Sequence, residues 1–360
     1  MTEKDFLPLP YKTLPAEGKI TWKAPSNIAL VKYWGKKKDQ IPANPSISFT
    51  LDACATTTTV SFSKKEDTES FSFDVIFEGN RKDEFKPKIL TFFERIEAYV
   101  PFLRTYHFNI ETSNSFPHSS GIASSASGMA ALSLCLMDIE KQMNAGMSED
   151  FFKRKASFLA RLGSGSACRS IEGDLIQWGG HEKIAGSSDL YGIKYPHEVN
   201  PVFKNFHDTI LLVHKGEKQV SSTAGHNLMH GHPFATERFA QAHDNLDRLE
   251  HIFRDGDLKQ FIKIVESEAL TLHAMMMTSM PYFILMKPDT LHIIHKIWKF
   301  RESTKTPICF TLDAGANVHV LYPESVKEKA IQFIQNELVV HCENGHYICD
   351  RIGNGARRLI

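Results

Sequence analysis

The segment Phe116-Pro117-His118-Ser119-Ser120-Gly121-Ile122-Ala123-Ser124-Ser125-Ala126-Ser127-Gly128 stands between a strand-like run and an apolar helix-like run. Its composition suits an anion cradle. Small residues let the backbone approach a ligand, hydroxyls add donors, and a helix start offers unpaired N–H groups with a partial positive charge. A triphosphate is the natural guest. The segment is neither a Walker loop, since GxxxxGK[ST] is absent from the chain, nor a GxGxxG turn. A serine-rich cap on a small-residue packing helix is the alternative explanation. A second stretch, Gly163-Ser164-Gly165-Ser166-Ala167-Cys168-Arg169-Ser170, adds an arginine, whose planar fork suits carboxylates and phosphates. A third, Val220-Ser221-Ser222-Thr223-Ala224-Gly225, follows another strand-like run.

Single charged residues complete the set. Lys32 lies in the apolar run NIALVKYWGK beside Tyr33 and Trp34. A buried ammonium there would need an anionic partner, whereas a snorkelling surface lysine would not. Asp313 closes the run FTLDAG, where a carboxylate can take a proton, position a hydroxyl or simply open a turn. His226, His230 and His232 form one loose histidine group; His341, Cys342, His346 and Cys349 form another. Neither has a standard metal-ligand spacing, so no protein metal site is expected.

The elements that must hold these residues are legible from pattern. KITWKA, SISFTL, TTTTVSFS, SFSFDVIF, TYHFNIET, DTILLVH, ICFTLDAG, NVHVLY and LVVHC read as strands. Helices are expected over 86–99, from the apolar run MAALSLCLMDIEKQM, over 148–161, and through much of the chain up to Arg301. Strands and helices mix without a regular βαβ rhythm, which points to α+β. Length favours two domains. The expected division is an N-terminal arm over 1–18, one domain over 19–203 and another over 204–360.

Composition narrows the function. Lys+Arg and Asp+Glu both count 42 in 360 residues. That balance argues against a dedicated nucleic-acid binder, whose affinity comes from excess cations. The six cysteines show no CxxC pair or disulfide-like spacing, as expected of reduced thiols in the cytoplasm. No signal peptide is expected, because MTEKDFLPLPYKTLP has no apolar core. The uncharged run from Ala269 to Met286 is long enough for a membrane span, but its His273, Thr271, Thr278, Ser279 and Pro281 favour a buried helix.

Taken as an ordered set, APSNIALVKYWGK, NPSISFTL, FPHSSGIASSASG, GSGSACRS, VSST and FTLDAGANV resemble the GHMP kinase superfamily, and within it the diphosphomevalonate decarboxylases. The resemblance runs from about Ala24 to Tyr322 and is most specific in the pairing of KYWGK with GSGSACRS. It implies an α+β GHMP kinase fold, with an N-terminal domain like ribosomal protein S5 domain 2, a ferredoxin-like C-terminal domain and a cleft between them. It implies ATP and Mg²⁺ as cofactors and mevalonate 5-diphosphate as substrate, yielding isopentenyl diphosphate through 3-hydroxyl phosphorylation and loss of carbon dioxide. Ser119, Ser120, Gly121, Ser124 and Ser125 would hold the ATP phosphates. Asp313 would face the substrate 3-hydroxyl, Arg169 would hold the substrate carboxylate, and Lys32 would complete the catalytic set. Tyr33, Lys36, Ser164, Ser166, Ser221 and Ser222 would bind phosphates of the substrate or of ATP, and Mg²⁺ would arrive with the nucleotide. The family also implies a homodimer, with no nucleic-acid or membrane partner. A phosphomevalonate decarboxylase or mevalonate 3-kinase on the same scaffold is the alternative. Departures from the family pattern are Ala316 in place of a proline, Pro45 in the NxSIS segment, Asp174 in place of a second glycine, and Pro281 in place of a double proline.

Overall fold

The computed structural model describes residues 1–117, 122–216 and 222–360, and the side chains of residues 222 and 223 lie outside that description. The N-terminal half builds an eight-stranded sheet. Its strands are β1 (Glu17–Val31), β2 (Ser46–Lys64), β3 (Ser72–Phe77), β4 (Asn80–Arg81), β5 (Tyr106–Asn114), β6 (Leu175–Trp178) and β7 (Ile193–Lys194), joined by a strand from the C-terminus. The C-terminal half builds an antiparallel four-stranded sheet from β8 (Phe206–Leu211), β9 (Cys309–Thr311), β10 (Val318–Pro323) and β11 (Tyr347–Arg351), in the order β11-β8-β10-β9. The last strand, β12 (Arg357–Arg358), returns to pair with β1.

β2 joins SISFTL and TTTTVSFS into one strand. Its second half alternates in burial from Thr56 to Phe62, as a strand with one solvated face must, whereas Ser46 to Leu51 is buried throughout. The two halves take different partners, β6 for the first and β5 for the second. Between them, the Asp350 carboxylate accepts the N–H groups of Asp52, Ala53 and Cys54, at 3.0, 2.8 and 2.7 Å. The C-terminal sheet is thereby tied to the N-terminal one.

Among the described residues, eight α-helices cover the sheets: α1 (Lys86–Ile96), α2 (Ser124–Met143), α3 (Glu149–Gly163), α4 (Ser222–Asn227), α5 (Ala235–Asp255), α6 (Leu258–Met277), α7 (Pro288–Thr304) and α8 (Lys327–Phe333). α2 is buried almost all round, which its Ala, Ser and Gly content permits. α3 starts at Ser148, whose hydroxyl accepts from Phe151 N, with Glu149 and Asp150 in the positive first turn. One apolar core lies between the N-terminal sheet and α1–α3, and a second under the C-terminal sheet. A third joins Ile28, Leu30 and Ile47 from β1 and β2 to Leu246, Phe261 and Val265 from α5 and α6.

One expectation is corrected and two are made more exact. LVVHC is not a strand: Ile334–Leu338 is a π-helical turn followed by a 3₁₀ turn, Val339–His341. Leu338 and Cys342, four apart, turn inward while Val340 is 78% exposed, so the short apolar run follows a helical period. The strand in this region is β11, which lacks a simple alternating signal. The uncharged run from Ala269 ends its helix at Met277, and among the described residues no helix is long and apolar enough to cross a membrane. The residues before β1 are docked rather than loose. Phe6 is fully buried and stacks on Phe158 at 4.4 Å, Tyr11 donates to Glu140, and Tyr106 donates to the Pro15 carbonyl.

Candidate active site

Lys32 is the first residue past the end of β1, where the sheet ladder stops at Val31. Its side chain is 2% exposed, and its ammonium lies 3.0 Å from Asp313 Oδ1. Burial pushes the Lys32 ammonium below the usual lysine range, opposed by Asp313 and then Glu268. Asp313 sits in the turn between β9 and β10 with its side chain 29% exposed. The turn is well tied. The Asp313 carbonyl accepts from Gly315 N and pairs with His273 Nε2 at 3.1 Å, Thr290 donates to the Ala316 carbonyl at 2.7 Å, and Asn317 exchanges two hydrogen bonds with the His214 backbone. Ala316, where the family pattern has proline, is therefore buried in a fixed loop.

Arg169 comes from a 3₁₀ segment, Gly165–Ser170, and is buried. Its Nη1 donates to Ser46 Oγ at 2.6 Å, its Nε donates to Asn27 Oδ1 at 3.3 Å, and its guanidinium lies 5.7 Å from the Trp178 ring centre. Asn27 in turn donates to the Ser166 carbonyl and to Ser170 Oγ, stitching this segment to β1. Burial lowers the Arg169 guanidinium from its ordinary value, while Cys168, Asp313 and Tyr33 oppose the shift. The Arg169 charge acts on the Lys32 ammonium, and both cations feel Asp313. Two cations and one carboxylate from distant parts of the chain thus share one buried neighbourhood.

Around them, the Tyr33 ring lies 4.7 Å from Trp178 and 4.2 Å from His226, and burial raises its phenol. A Cβ on Gly165 would fall 2.8 Å from the Tyr33 hydroxyl, so only glycine admits this approach. His226 Nδ1 accepts from Gly35 N at 3.0 Å, and burial drives its imidazole down to about 3, leaving it neutral. It fixes the KYWGK turn. Lys36 is half-buried with its ammonium lowered, first by burial and then by Arg95. Ser164 and Ser166 flank the Arg169 segment and are partly exposed. Asp174 lies apart from this cluster, with Leu175 N and Lys194 as its partners.

The anion loop enters α2 with Ala123 in the left-handed region at φ 48°, and Ser124 opens the helix. The Ile122 carbonyl accepts from Ser26, and Ser125 accepts from Lys88 at 2.8 Å. Ser119, Ser120, Gly121 and Ser221 lie outside the described residues, as does the Ser222 side chain, although Ser222 opens α4. Beside the start of α2 is a cavity of about 260 Å³, bounded by Ser124, Ser125 and Lys88 at one side and by Thr56, Thr58 and Asn114 on the sheet. Apolar residues such as Val75, Ile110 and Leu132 form much of its remaining wall. Nothing local in the sequence marks Lys88, a charged residue in an ordinary helix, or a cavity walled by β2, β3, β5, α1 and α2.

Among the described residues, the only cluster spaced to hold a metal is Asp289, His292 and His341. It is largely exposed, and Asp289 pairs with both histidines. The histidine groups noted in the sequence do not assemble into such a cluster.

The chain matches a family model for the diphosphomevalonate decarboxylase-like N-terminal domain over residues 24–190, and one for the mevalonate 5-diphosphate decarboxylase C-terminal domain over residues 209–353. A diphosphomevalonate decarboxylase of Ganoderma lucidum is 31% identical over 327 residues, covering 86% of this chain and 79% of the relative. The chain belongs to the diphosphomevalonate decarboxylase family. The human diphosphomevalonate decarboxylase is 28% identical over 320 residues, covering 83% of this chain and 75% of the relative. Among solved structures, the mevalonate diphosphate decarboxylase of Staphylococcus aureus superposes with a TM-score of 0.80 at 27% identity, covering 96% of this chain and 98% of that one. A structure described as MDDEF in complex with MVAPP, AMPPCP and magnesium also gives 0.80, at 28% identity and 96% and 99% coverage. The architecture is accordingly the α+β GHMP kinase fold of this decarboxylase family.

Proposed function

We propose that this enzyme converts mevalonate 5-diphosphate and ATP into isopentenyl diphosphate, carbon dioxide, ADP and phosphate, with Lys32, Arg169 and Asp313 as its catalytic residues. The observation that carries the assignment of roles is the buried Lys32–Asp313 pair at 3.0 Å with Arg169 in its field. The substrate 3-hydroxyl would lie against the partly exposed Asp313 carboxylate, which orients it and takes its proton as the oxygen attacks the γ-phosphorus of ATP. Lys32 holds that carboxylate in place and offsets the charge that builds on the transferring phosphoryl group. Departure of the new phosphate then breaks the C3–O bond. The electron pair of the bond between C2 and the carboxylate forms the alkene as carbon dioxide leaves. Arg169, gripped by Ser46 and Asn27, is placed to hold the carboxylate until then.

Ser124 and Ser125 at the α2 start suit the ATP phosphates, with Ser119, Ser120 and Gly121 completing that loop, and the adjoining cavity suits the nucleoside. Tyr33, Lys36, Ser164, Ser166, Ser221 and Ser222 are assigned to the substrate diphosphate and neighbouring phosphates. Magnesium would come with the nucleotide and neutralise phosphate charge; the buried residues are cationic and hydroxylic, which fits phosphate oxygens rather than a protein-held metal. We further propose a division near residue 204, after an arm over 1–18. The two catalytic units, 19–203 and 204–360, share the apolar core between β1–β2 and α5–α6. A cytoplasmic setting accords with six free cysteines, five of them buried. The homodimer is tested by light scattering, where a monomer mass would overturn it. The activity is tested by following ADP and carbon dioxide together with mevalonate 5-diphosphate as substrate. Equal yields are expected, and ADP release without carbon dioxide would overturn the decarboxylase assignment.

A further inference from the structure

We infer that Glu268 and Arg238 are positioning residues for Lys32, holding its backbone from both sides so that its ammonium is aimed at Asp313; this rests on Lys32 being catalytic as proposed above. Lys32 lies beyond the last ladder pair of β1, so its peptide groups have no strand to bond with. Side chains from the C-terminal half replace the strand. Glu268 Oε2 on α6 accepts the Lys32 N–H at 2.8 Å, and Arg238 Nη2 on α5 donates to the Lys32 carbonyl at 3.0 Å. Asn44 Nδ2 donates to the same carbonyl at 2.9 Å. Glu268 and Arg238 bond each other through both carboxylate oxygens, at 3.0 and 2.5 Å, and both side chains are 0% exposed. Asn245 adds a bond to Glu268 at 2.6 Å.

A fully buried ion pair is a poor device for stability alone, since well-packed apolar residues of similar volume do as well or better. Here the pair also leaves Arg238 Nε buried without a hydrogen bond among the described residues. What it achieves is geometric. It fixes the φ/ψ of one residue at the seam between the two halves, and the side chain of that residue carries the catalytic charge.

The pair acts on charge as well. The groups around the Lys32 ammonium are Asp313 from the β9–β10 turn, Glu268 and His273 from α6, Arg169 from the 3₁₀ segment and Asp208 from β8, while Arg238 from α5 reaches the Lys32 carbonyl. Of these, Asp313 and Glu268 favour the ammonium and Arg169 opposes it. Arg238 neutralises Glu268 and so tempers its pull. The two substitutions therefore have opposite signatures. Glu268→Gln removes a negative charge and lowers the Lys32 pKa; Arg238→Met frees the carboxylate and raises it. A merely structural pair would leave the kcat of a stably folded double variant near that of wild type.

The test uses the full chain with lysine labelled at Cε. The Lys32 signal is assigned by its loss in Lys32→Met and titrated in wild type, Glu268→Gln, Arg238→Met and the double variant Glu268→Gln/Arg238→Met. Turnover is measured alongside. Expected are opposite displacements in the singles and a kcat at least about tenfold lower in Glu268→Gln, with the KM for ATP changed less than about threefold. The charge-neutral double variant should melt closer to wild type than either single, yet keep the low kcat. Identical titrations in wild type and both singles, or a double variant that regains turnover along with stability, would overturn the inference. The titration does not depend on turnover. If wild type makes no carbon dioxide, the functional assignment fails while the positioning question is still answered.

Discussion

Replacing Asp313 by asparagine keeps shape and hydrogen-bonding reach but removes the one carboxylate that faces both Lys32 and a guest. Two unit charges 3.0 Å apart attract by about 5 kcal/mol at an effective dielectric of about 20. Asp313 is 29% exposed, so solvent screening brings the pair down to about 2–3 kcal/mol. A group that also takes a proton in the transition state contributes a further factor of about 10² to 10⁴ in rate. The expected outcome for Asp313→Asn is a kcat lower by about 10³, with the KM for ATP within about threefold, because the nucleotide contacts proposed above lie at α2 rather than at the β9–β10 turn. Lys32 then keeps its burial without its largest favourable partner, so its pKa falls further. The melting temperature falls by a few degrees, and the loss is smaller at alkaline pH, where the lysine is neutral. The assay follows ADP by coupled absorbance and carbon dioxide by trapping, on protein shown by circular dichroism to be folded. Turnover within tenfold of wild type would refute the role given to Asp313. Loss of carbon dioxide with ADP release intact would refute its placement at the phosphorylation step.

Arg169→Lys keeps the charge but loses the fork that meets Ser46 and Asn27 together; kcat/KM for mevalonate 5-diphosphate should fall by about 10² or more, and a change under threefold in steady-state assays would reduce Arg169 to a bystander. Phe6→Ala deletes a fully buried ring stacked on Phe158, so urea unfolding should show a loss of about 3–5 kcal/mol; a loss below about 1 kcal/mol would mean the N-terminal segment is not docked in solution. Burial holds His226 down to about 3 and His273 to about 4, against about 6.5 when unfolded. Over that interval the unfolded chain binds more protons, so stability should drop as pH falls from about 6.5 towards 3; His226→Gln, which keeps an acceptor for Gly35 N, should flatten the curve, and an unchanged slope would count against a buried neutral imidazole. Because burial lowers Lys32 and an anion opposes that shift, substrate binding at alkaline pH should take up protons, visible by calorimetry in buffers of different ionisation enthalpy; buffer-independent heats throughout the alkaline range would contradict it.

The parts of the fold that were legible in the sequence are those written in local pattern. Alternation marked β3, β5 and the Thr-rich half of β2, and the Ser148 cap marked α3. What was not legible depends on partners far along the chain. SISFTL and TTTTVSFS read as separate strands because the link between them is stabilised by Asp350, about 300 residues away. LVVHC misled because a short apolar run satisfies either period, and only its packing under the C-terminal sheet decides. The same division runs through the site. Lys32, Arg169 and Asp313 stand out because each is an odd residue in its setting: a charge in an apolar run, an arginine after glycines, an acid at the end of a strand. Glu268, Arg238 and Asn245 do not, since charged residues on long helices are the normal solvent face, and only the fold shows them at 0–5% exposure.

That contrast has a physical reason in the charge balance of the cleft. The Arg238–Glu268 pair offsets itself and Asp208 is turned to His319 at 2.7 Å, so at the proposed substrate site the two cations Lys32 and Arg169 face the single carboxylate of Asp313, an excess of one positive charge largely withdrawn from water. Such an excess is unfavourable until an anion arrives, and the downward shifts of both Lys32 and Arg169 register that strain. A guest carrying a carboxylate and phosphates removes it. When the carboxylate departs as neutral carbon dioxide, that gain is lost again. The same uncompensated cation therefore favours entry of the charged substrate and disfavours retention of its less charged product. The arrangement requires the cations to be immobile, because a lysine free to swing toward solvent would dissipate the excess before any guest arrived. Rigid attachment of Lys32 at the seam of the two halves is accordingly a condition of the chemistry and not only of the fold.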